Sequence, residues 1–307
     1  MRSDYYYDSK GGGAIHAAVW TPDTTPKAIF QIVHGIAEHV DRYEAFANTL
    51  CQHGFIVVAE DHMGHGGSVG NQPLGYFSGG WFAAVADTYR LLRDTMAKHP
   101  GLPYFLFGHS MGSFMVRTLL AEYPDSGIHG AIICGTGWQP GFMLLAGNAL
   151  SSLSCKINGE TKIDMGLYKL IFGGYNKKVE HPETAFDWLS RDHASVQNYA
   201  DDPLCGFIPT AGLLRDMMRG MAYIEKPETL SKMNMDIPML FVAGGDDPVG
   251  NYGKGVQQCT QAFRSAGVKD LTARIFPLCR HEILNELNRD EVMDYIIQWV
   301  ENKILSK

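Results

Sequence analysis

A buried strand that turns sharply into a helix through Gly-x-Ser-x-Gly is the feature that most restricts the fold of this chain. An apolar run over residues 104–107 indicates the strand, and apolar residues at helical spacing begin at Met111. So tight a connection strains the backbone, and Gly108 and Gly112 remove side chains that would clash there. The motif alone can arise by chance, but its strand-and-helix context makes Ser110 a candidate nucleophile.

Strands and helices alternate along most of the chain. Short apolar runs typical of strands buried on both faces are each followed by a helical pattern. The alternation predicts an α/β protein with a mostly parallel central sheet and helices on both faces. Residues 3–20 are expected to add one or two antiparallel strands. The other predicted strands are 28–33, 55–59, 104–107, 128–134, 239–243 and 271–276, and predicted helices include 43–52, 81–99, 213–224, 255–266 and 289–304.

The alternation is interrupted once, between residues 138 and 212. Apolar and glycine-bearing pieces replace the strand pattern there, and a more polar piece follows from residue 181 to 203. We therefore expect residues 138–212 to be a helical cap (lid) insertion on a core made of residues 1–137 and 213–307.

Composition narrows the class of protein. The 307 residues are 45% hydrophobic and 19% charged, with a formal net charge of -7 and no basic block, so nucleic acid is not an expected partner. The start of the chain lacks a signal-peptide pattern, and no apolar stretch reaches the length of about 18 residues that indicates a membrane span. Six scattered cysteines without a C-x-x-C pair favour reduced thiols and a cytoplasmic location.

Loops that follow the predicted strands contain the residues needed for nucleophilic catalysis. The carboxyl ends of parallel strands share one edge of a sheet, so these loops should meet. A serine hydroxyl needs a base to remove its proton, and His281 can act as that base. Asp247 is the expected orienting acid, with Asp246 as the rival; Asp247 is preferred because it precedes Pro248, which would fix the loop.

An oxyanion formed at the serine would need two backbone N–H donors. Met111 directly follows the candidate nucleophile and supplies one, and Ile36 in the loop after the first buried strand is expected to supply the other. We interpret Asp61 as a hydrogen-bond acceptor for loop amides and expect neither a metal nor a cofactor. The other histidines in or beside these loops are interpreted as structural: His34, His62, His65 and His109.

Several motifs of the chain occur together in one known group of proteins. They are His34-Gly35-Ile36-Ala37-Glu38-His39 followed by Arg42-Tyr43, Asp61-His62-Met63-Gly64-His65-Gly66, Gly108-His109-Ser110-Met111-Gly112, Gly244 with Asp247, and His281. Taken together, these motifs resemble the monoacylglycerol lipase/lysophospholipase group of serine α/β-hydrolases. The resemblance covers nearly the whole core and implies the α/β-hydrolase fold, in which Ser, Asp and His occur in this chain order. It also implies hydrolysis of acyl esters of glycerol or lysophospholipids without a metal or cofactor.

The resemblance extends into the insertion, where residues 199–204 look like the group's cap segment. It implies that Glu38, Arg42 and Tyr199 lie near the glycerol head of a substrate, although Glu38 and Arg42 could equally form an ordinary salt bridge. The chain departs from the group at two positions. Ile36 is bulkier than the usual small residue, and Leu284 replaces a second histidine of the glycerol-specific members. The second departure weakens the expectation of strict monoacylglycerol preference.

Apolar residues in the insertion fit a lipid-like substrate, but they have two interpretations. They could form an acyl-chain pocket or a lid that transiently touches a membrane surface, or they could simply pack the cap on the core. The residues concerned are Phe142, Met143, Leu144, Leu145, Leu167, Leu170, Ile171 and Phe172.

The leading functional hypothesis is hydrolysis of acyl esters through an acyl-enzyme. The alternative enzyme is a related hydrolase for small aryl or alkyl esters or amides. The alternative from another class is a non-catalytic ligand-binding protein on the same fold.

Overall fold

One eight-stranded sheet organises the computed structural model, which describes residues 1–305. The strands are β1 (Arg2–Asp8), β2 (Ala14–Trp20), β3 (Ala28–Val33), β4 (Phe55–Glu60), β5 (Tyr104–His109), β6 (Gly130–Cys134), β7 (Met239–Gly244) and β8 (Leu271–Phe276). Their order across the sheet is β1-β2-β4-β3-β5-β6-β7-β8. β1 and β2 pair antiparallel, as do β2 and β4, whereas the six strands β3 to β8 are all parallel to one another.

Ten α-helices accompany the sheet in the described residues. They are α1 (Glu44–Gln52), α2 (Gly80–Lys98), α3 (Met111–Glu122), α4 (Gly141–Asn158), α5 (Met165–Phe172), α6 (His193–Asp201), α7 (Ala211–Ile224), α8 (Pro227–Leu230), α9 (Lys254–Ala266) and α10 (Arg289–Leu305). The helix predicted from residue 43 begins one residue later, because residues 40–43 form a separate 3-10 turn.

Two apolar layers bury the two faces of the sheet. Alternate residues of β3 point to opposite faces: Phe30 belongs to the apolar layer that includes α1 and α10, whereas Ile29 belongs to the layer that includes α2, α3 and α9. Every residue of β3 to β7 is buried, as expected for parallel strands covered on both sides. The predicted mostly parallel sheet with helices on both faces is therefore confirmed.

Residues 138–212 contain α4, α5 and α6 and, in this described segment, no strand beyond an isolated bridge between Ile163 and Thr210. Helix α4 packs along α7, which in turn contacts α2 and α3 of the sheet layer. We propose that residues 138–212 form the cap, whose last two residues begin α7, and that the rest of α7 is the surface on which the cap packs. None of the helices in residues 1–305 combines the length and apolar character needed to cross a membrane.

Candidate active site

Ser110 lies at the tip of the turn between β5 and α3. Its backbone has a φ of 53°, a conformation that non-glycine residues rarely adopt. The turn is possible because Gly108 and Gly112 have no side chain and allow close contact with neighbouring backbone. A Cβ on Gly112 would lie 2.0 Å from the Val33 carbonyl oxygen, and a Cβ on Gly108 would lie 2.4 Å from the Gly112 carbonyl oxygen. The Ser110 N–H donates to the Cys134 carbonyl at 3.0 Å, which fixes the serine at the carboxyl end of the sheet.

The loops after β7 and β8 bring a carboxylate and an imidazole together. Asp247 Oδ1 lies 3.0 Å from Nδ1 of His281, and both side chains are almost completely buried. The same carboxylate oxygen accepts the Val249 N–H at 2.8 Å, which orients the acid. The rival Asp246 is exposed. Asp247 is therefore the acid that the fold places beside His281.

The ring of His281 lies against the rings of two other residues. The ring centroid of His109 lies 4.8 Å away and that of Trp188 lies 5.0 Å away. Both ring nitrogens of His281 are buried and form no hydrogen bond with the described residues: Nδ1 is near Asp247 without hydrogen-bond geometry, and Nε2 has no partner. A neutral imidazole whose Nδ1 faces a carboxylate presents Nε2 as a proton acceptor.

A narrow cavity of about 60 Å³ brings most of the candidate site residues together. Ser110, His281 and Ile36 line it, as do Glu38 and Tyr199 of the predicted substrate set. Arg42 does not line this cavity; it lies in a neighbouring one of about 320 Å³, which Leu284 also lines. The remaining lining of the narrow cavity is mainly aromatic and apolar: Tyr168, Phe172, Phe186, Trp188, Leu189, Phe207 and Pro209.

The loop after β3 lies against the serine. A Cβ on Gly35 would be 3.1 Å from the Ser110 Cβ, so Ile36 is close to the candidate nucleophile. The carboxylate of Glu38 accepts the Gly35 N–H at 2.6 Å and fixes this loop from within. Met111 begins α3, where the first backbone N–H groups of a helix lack partners within the helix. Ile36 and Met111, the predicted donors, therefore both lie next to Ser110.

A buried charge cluster supports the loop. Arg42 Nη1 lies 3.0 Å from Glu38 and its guanidinium also binds both carboxylate oxygens of Glu282. Burial favours a high pKa for Glu38, yet the hydrogen bond from His109 and the charge of Arg42 lower that pKa well below its usual value. The Arg42 guanidinium also lies 4.6 Å from the centre of the Tyr199 ring. The Glu38–Arg42 salt bridge is therefore present, and Arg42 lies outside the narrow cavity that Ser110 lines.

Three histidines, His34, His62 and His65, form contacts within and between the loops after β3 and β4. Nε2 of His34 accepts the His62 N–H at 3.0 Å, and Nδ1 of His65 lies 3.1 Å from the Met63 carbonyl. Burial lowers the pKa of His65 to about 3, so its ring is neutral at ordinary pH. Asp61 accepts N–H groups from two loop residues, at 2.9 Å and 2.8 Å, which confirms its predicted role.

Two neighbours of the candidate site were not identifiable from sequence. Glu282 directly follows His281, but its partner Arg42 is 240 residues away in the chain. Trp188 lies in the insertion, where nothing in the local pattern distinguishes it from a packing residue. Adjacency to His281 was the one available signal, and it applies to Glu282 alone.

The structure as a whole has a close relative of known architecture. A crystal structure of a highly thermostable carboxyl esterase from Bacillus coagulans in complex with glycerol superposes with a TM-score of 0.92 and 31% identity, covering 99% of both chains. The sheet, its helices and this likeness define an α/β-hydrolase.

Sequence comparison identifies the family. The family model described as serine aminopeptidase, S33, matches residues 24–288, and the chain belongs to this family. A monoacylglycerol lipase of Mycolicibacterium smegmatis is 29% identical and matches over 97% of both chains. The human monoglyceride lipase is 28% identical over 95% of this chain and 88% of its own. The chain is accordingly a serine hydrolase of carboxylic esters, similar to monoglyceride lipases.

We predict that Asp61→Asn lowers the free energy of unfolding by about 2 kcal/mol at pH 7. Burial favours a high pKa for Asp61, but the bond from His16 and those from loop N–H groups lower it to about 2, against 3.8 in the unfolded chain. A carboxyl with a depressed pKa stabilises the fold fully above its unfolded value, and this contribution is lost as the pH falls through about 2.

Denaturant unfolding between pH 7 and pH 2.5 measures this effect, with the exposed Asp23→Asn as the matched control. The difference between wild type and Asp61→Asn should shrink steadily below pH 4. A difference that stays constant over this range, or one shared by the control, would contradict the electrostatic explanation.

Proposed function

We propose that this protein cleaves acyl esters through a covalent acyl-enzyme formed on Ser110. The arrangement of His281 supports the proposal most strongly. Its Nδ1 lies 3.0 Å from Asp247, while its unpartnered Nε2 and the strained Ser110 belong to the same cavity. A histidine beside a carboxylate can activate a serine in the same cavity, and the aspartate then stabilises the resulting imidazolium.

The proposed reaction proceeds in two halves. His281 Nε2 takes the hydroxyl proton while the Ser110 oxygen attacks the ester carbonyl, and the N–H groups of Ile36 and Met111 bind the oxyanion. The imidazolium then gives the proton to the leaving alcohol, which leaves an acyl-serine. Water, activated by His281, attacks the acyl-serine, and collapse of the second tetrahedral intermediate returns the proton to Ser110. Asp247 stabilises the imidazolium in both halves.

The proposed substrates are acyl esters of the monoacylglycerol or lysophospholipid type. The relatives named monoacylglycerol or monoglyceride lipases and the glycerol-bound esterase support this substrate class. Within the cavity, aromatic and apolar side chains suit an acyl chain. Glu38 and Tyr199 would contact the alcohol part, and Arg42 would fix Glu38 in place. Leu284 replaces an imidazole with an alkyl group in the adjoining cavity, which favours a less strict head-group preference.

We propose that the cap must move for long acyl chains to enter, because the cavity at Ser110 holds only about 60 Å³. The outer side of α4 carries an apolar surface suited to transient contact with a membrane or a lipid aggregate, where such substrates reside. Its exposed side chains are Phe142, Met143, Leu145, Leu150, Leu153 and Ile157. The same narrow cavity makes hydrolysis of small esters the second candidate activity.

Labelling with a fluorophosphonate probe tests the nucleophile. Wild type should be labelled at one site, and Ser110→Ala should lose both the label and all hydrolysis of simple esters, since the attacking oxygen is absent. Ser152→Ala removes a hydroxyl from the cap helix α4, outside the cavity lining, and should behave as wild type. Labelling of Ser110→Ala at the wild-type rate would reject Ser110 as the nucleophile.

The acyl-chain preference can be measured with p-nitrophenyl esters of increasing length. We expect kcat/KM to rise from acetate to octanoate, because each added methylene buries apolar surface worth about 0.8 kcal/mol. Phe207→Ala removes a ring from the cavity and should reduce this rise, whereas Phe82→Ala on α2 should not. A maximum at acetate in wild type would favour the small-ester hydrolase instead.

A further inference from the structure

A second cluster of reactive side chains lies where the cap segment meets the core. His39 ends the loop after β3, and Asp202 and Cys205 follow α6. One ligand atom from each of the three residues lies within 4.8 Å of the other two. His39 and Cys205 are buried and Asp202 is partly exposed. None of the three belongs to the catalytic set proposed above.

The side chains are oriented toward one another. Nε2 of His39 lies 2.8 Å from Oδ2 of Asp202, and the other ring nitrogen, Nδ1, lies 3.8 Å from Oδ2 of Asp41. The Asp41 carboxylate, beyond hydrogen-bond distance, is on the side of the nitrogen that would not bind the metal, where metal-binding histidines commonly have a carboxylate. The second oxygen of Asp202, Oδ1, accepts the Leu204 N–H at 2.8 Å and holds the carboxylate.

We propose that His39, Asp202 and Cys205 bind a Zn²⁺ ion that links the cap to the core. An imidazole nitrogen, a carboxylate oxygen and a thiolate sulfur are the three ligand types that Zn²⁺ prefers. Binding would replace the thiol proton of Cys205, which passes to solvent, and the thiolate with the Asp202 carboxylate would then match the double charge of the ion. Calcium and magnesium, which require oxygen ligands, do not fit this set.

The surrounding charges are compatible with a cation. Arg42 lies nearby, but its guanidinium is paired with Glu38 and Glu282, which offset its charge. A cavity of about 230 Å³ is lined by His39, Asp41 and Asp202 and gives access to the cluster from outside. Three protein ligands leave a fourth position for water or a small ligand from this cavity, as in zinc sites that exchange ligands.

Metal binding at this place would restrain the loop that carries the proposed oxyanion donor. Two contacts join residues 202–206 of the cap to that loop, which follows β3. One is the His39–Asp202 contact, and the other is a hydrogen bond from the Gly206 N–H to the Ala37 carbonyl at 3.0 Å. Ala37 has a φ of 55°, so the loop is held in a conformation that non-glycine residues rarely adopt. A Zn²⁺ ion would add three bonds to this junction and hold the cap segment on the loop.

Cobalt(II) tests the site directly, because a tetrahedral Co²⁺ with a thiolate ligand absorbs strongly in the near ultraviolet and the visible. The full-length wild-type protein should bind one Co²⁺ with these bands, and added Zn²⁺ should displace it and bleach them. Cys205→Ser should lose the thiolate band, and His39→Gln should bind Co²⁺ at least about 10-fold more weakly, since even changes beyond the ligands cost this much. Cys155→Ser, a buried cysteine of α4, is the matched control and should behave as wild type.

Several results would overturn the site. They are a wild-type protein without a thiolate band, a band that survives Cys205→Ser, and a wild-type Co²⁺ affinity in His39→Gln, which would exclude the link to the core. Circular dichroism of each variant checks that the fold is retained. Hydrogen exchange then tests the restraint separately from activity: Zn²⁺ should slow exchange in residues 202–206 of wild type and not of Cys205→Ser. Unchanged exchange with the metal bound would reject the restraint.

Discussion

The structure depends on the contact of two backbones at the tip of the turn between β5 and α3. Gly112 touches the Val33 carbonyl so closely that even a methyl group would lie 2.0 Å from that oxygen. This contact, which involves backbone atoms only, brings Ser110 and the start of α3 next to the loop after β3. The positive φ of Ser110 costs about 1–3 kcal/mol, and the buried sheet layers on both sides hold the turn in that state.

Buried charges connect the loops that the turn brings together. Arg42 binds Glu38, which fixes the loop before the serine, and Glu282, which directly follows His281. A buried pair of this kind adds little net stability over apolar residues, but loss of one partner costs about 3–5 kcal/mol. Because the Arg42 guanidinium also faces Tyr199, the cluster relates the positions of both core loops to the cap segment.

Much of this arrangement follows from local sequence. The turn around Ser110, the choice of Asp247 over Asp246 and the amide-binding role of Asp61 were predicted because each rests on neighbouring residues or on the edge where parallel strands end. The Arg42–Glu282 pair and the packing of Trp188 on His281 could not be predicted, because each joins residues far apart in the chain. The 3-10 turn at residues 40–43 was not predicted for a different reason: its buried residues, Val40 and Tyr43, are three positions apart, a spacing that also occurs in the helix that follows.

In the proposed reaction, the ester's acyl group is transferred to the Ser110 oxygen before it reaches water. The most direct measurement is acid quench within milliseconds of mixing the enzyme with a p-nitrophenyl ester, followed by peptide mass spectrometry. We expect one acyl group per chain, on the peptide that contains Ser110, with its amount rising to a plateau while p-nitrophenol is still being released. Steady hydrolysis without any acylated peptide, or an acyl group on a different residue, would contradict the mechanism.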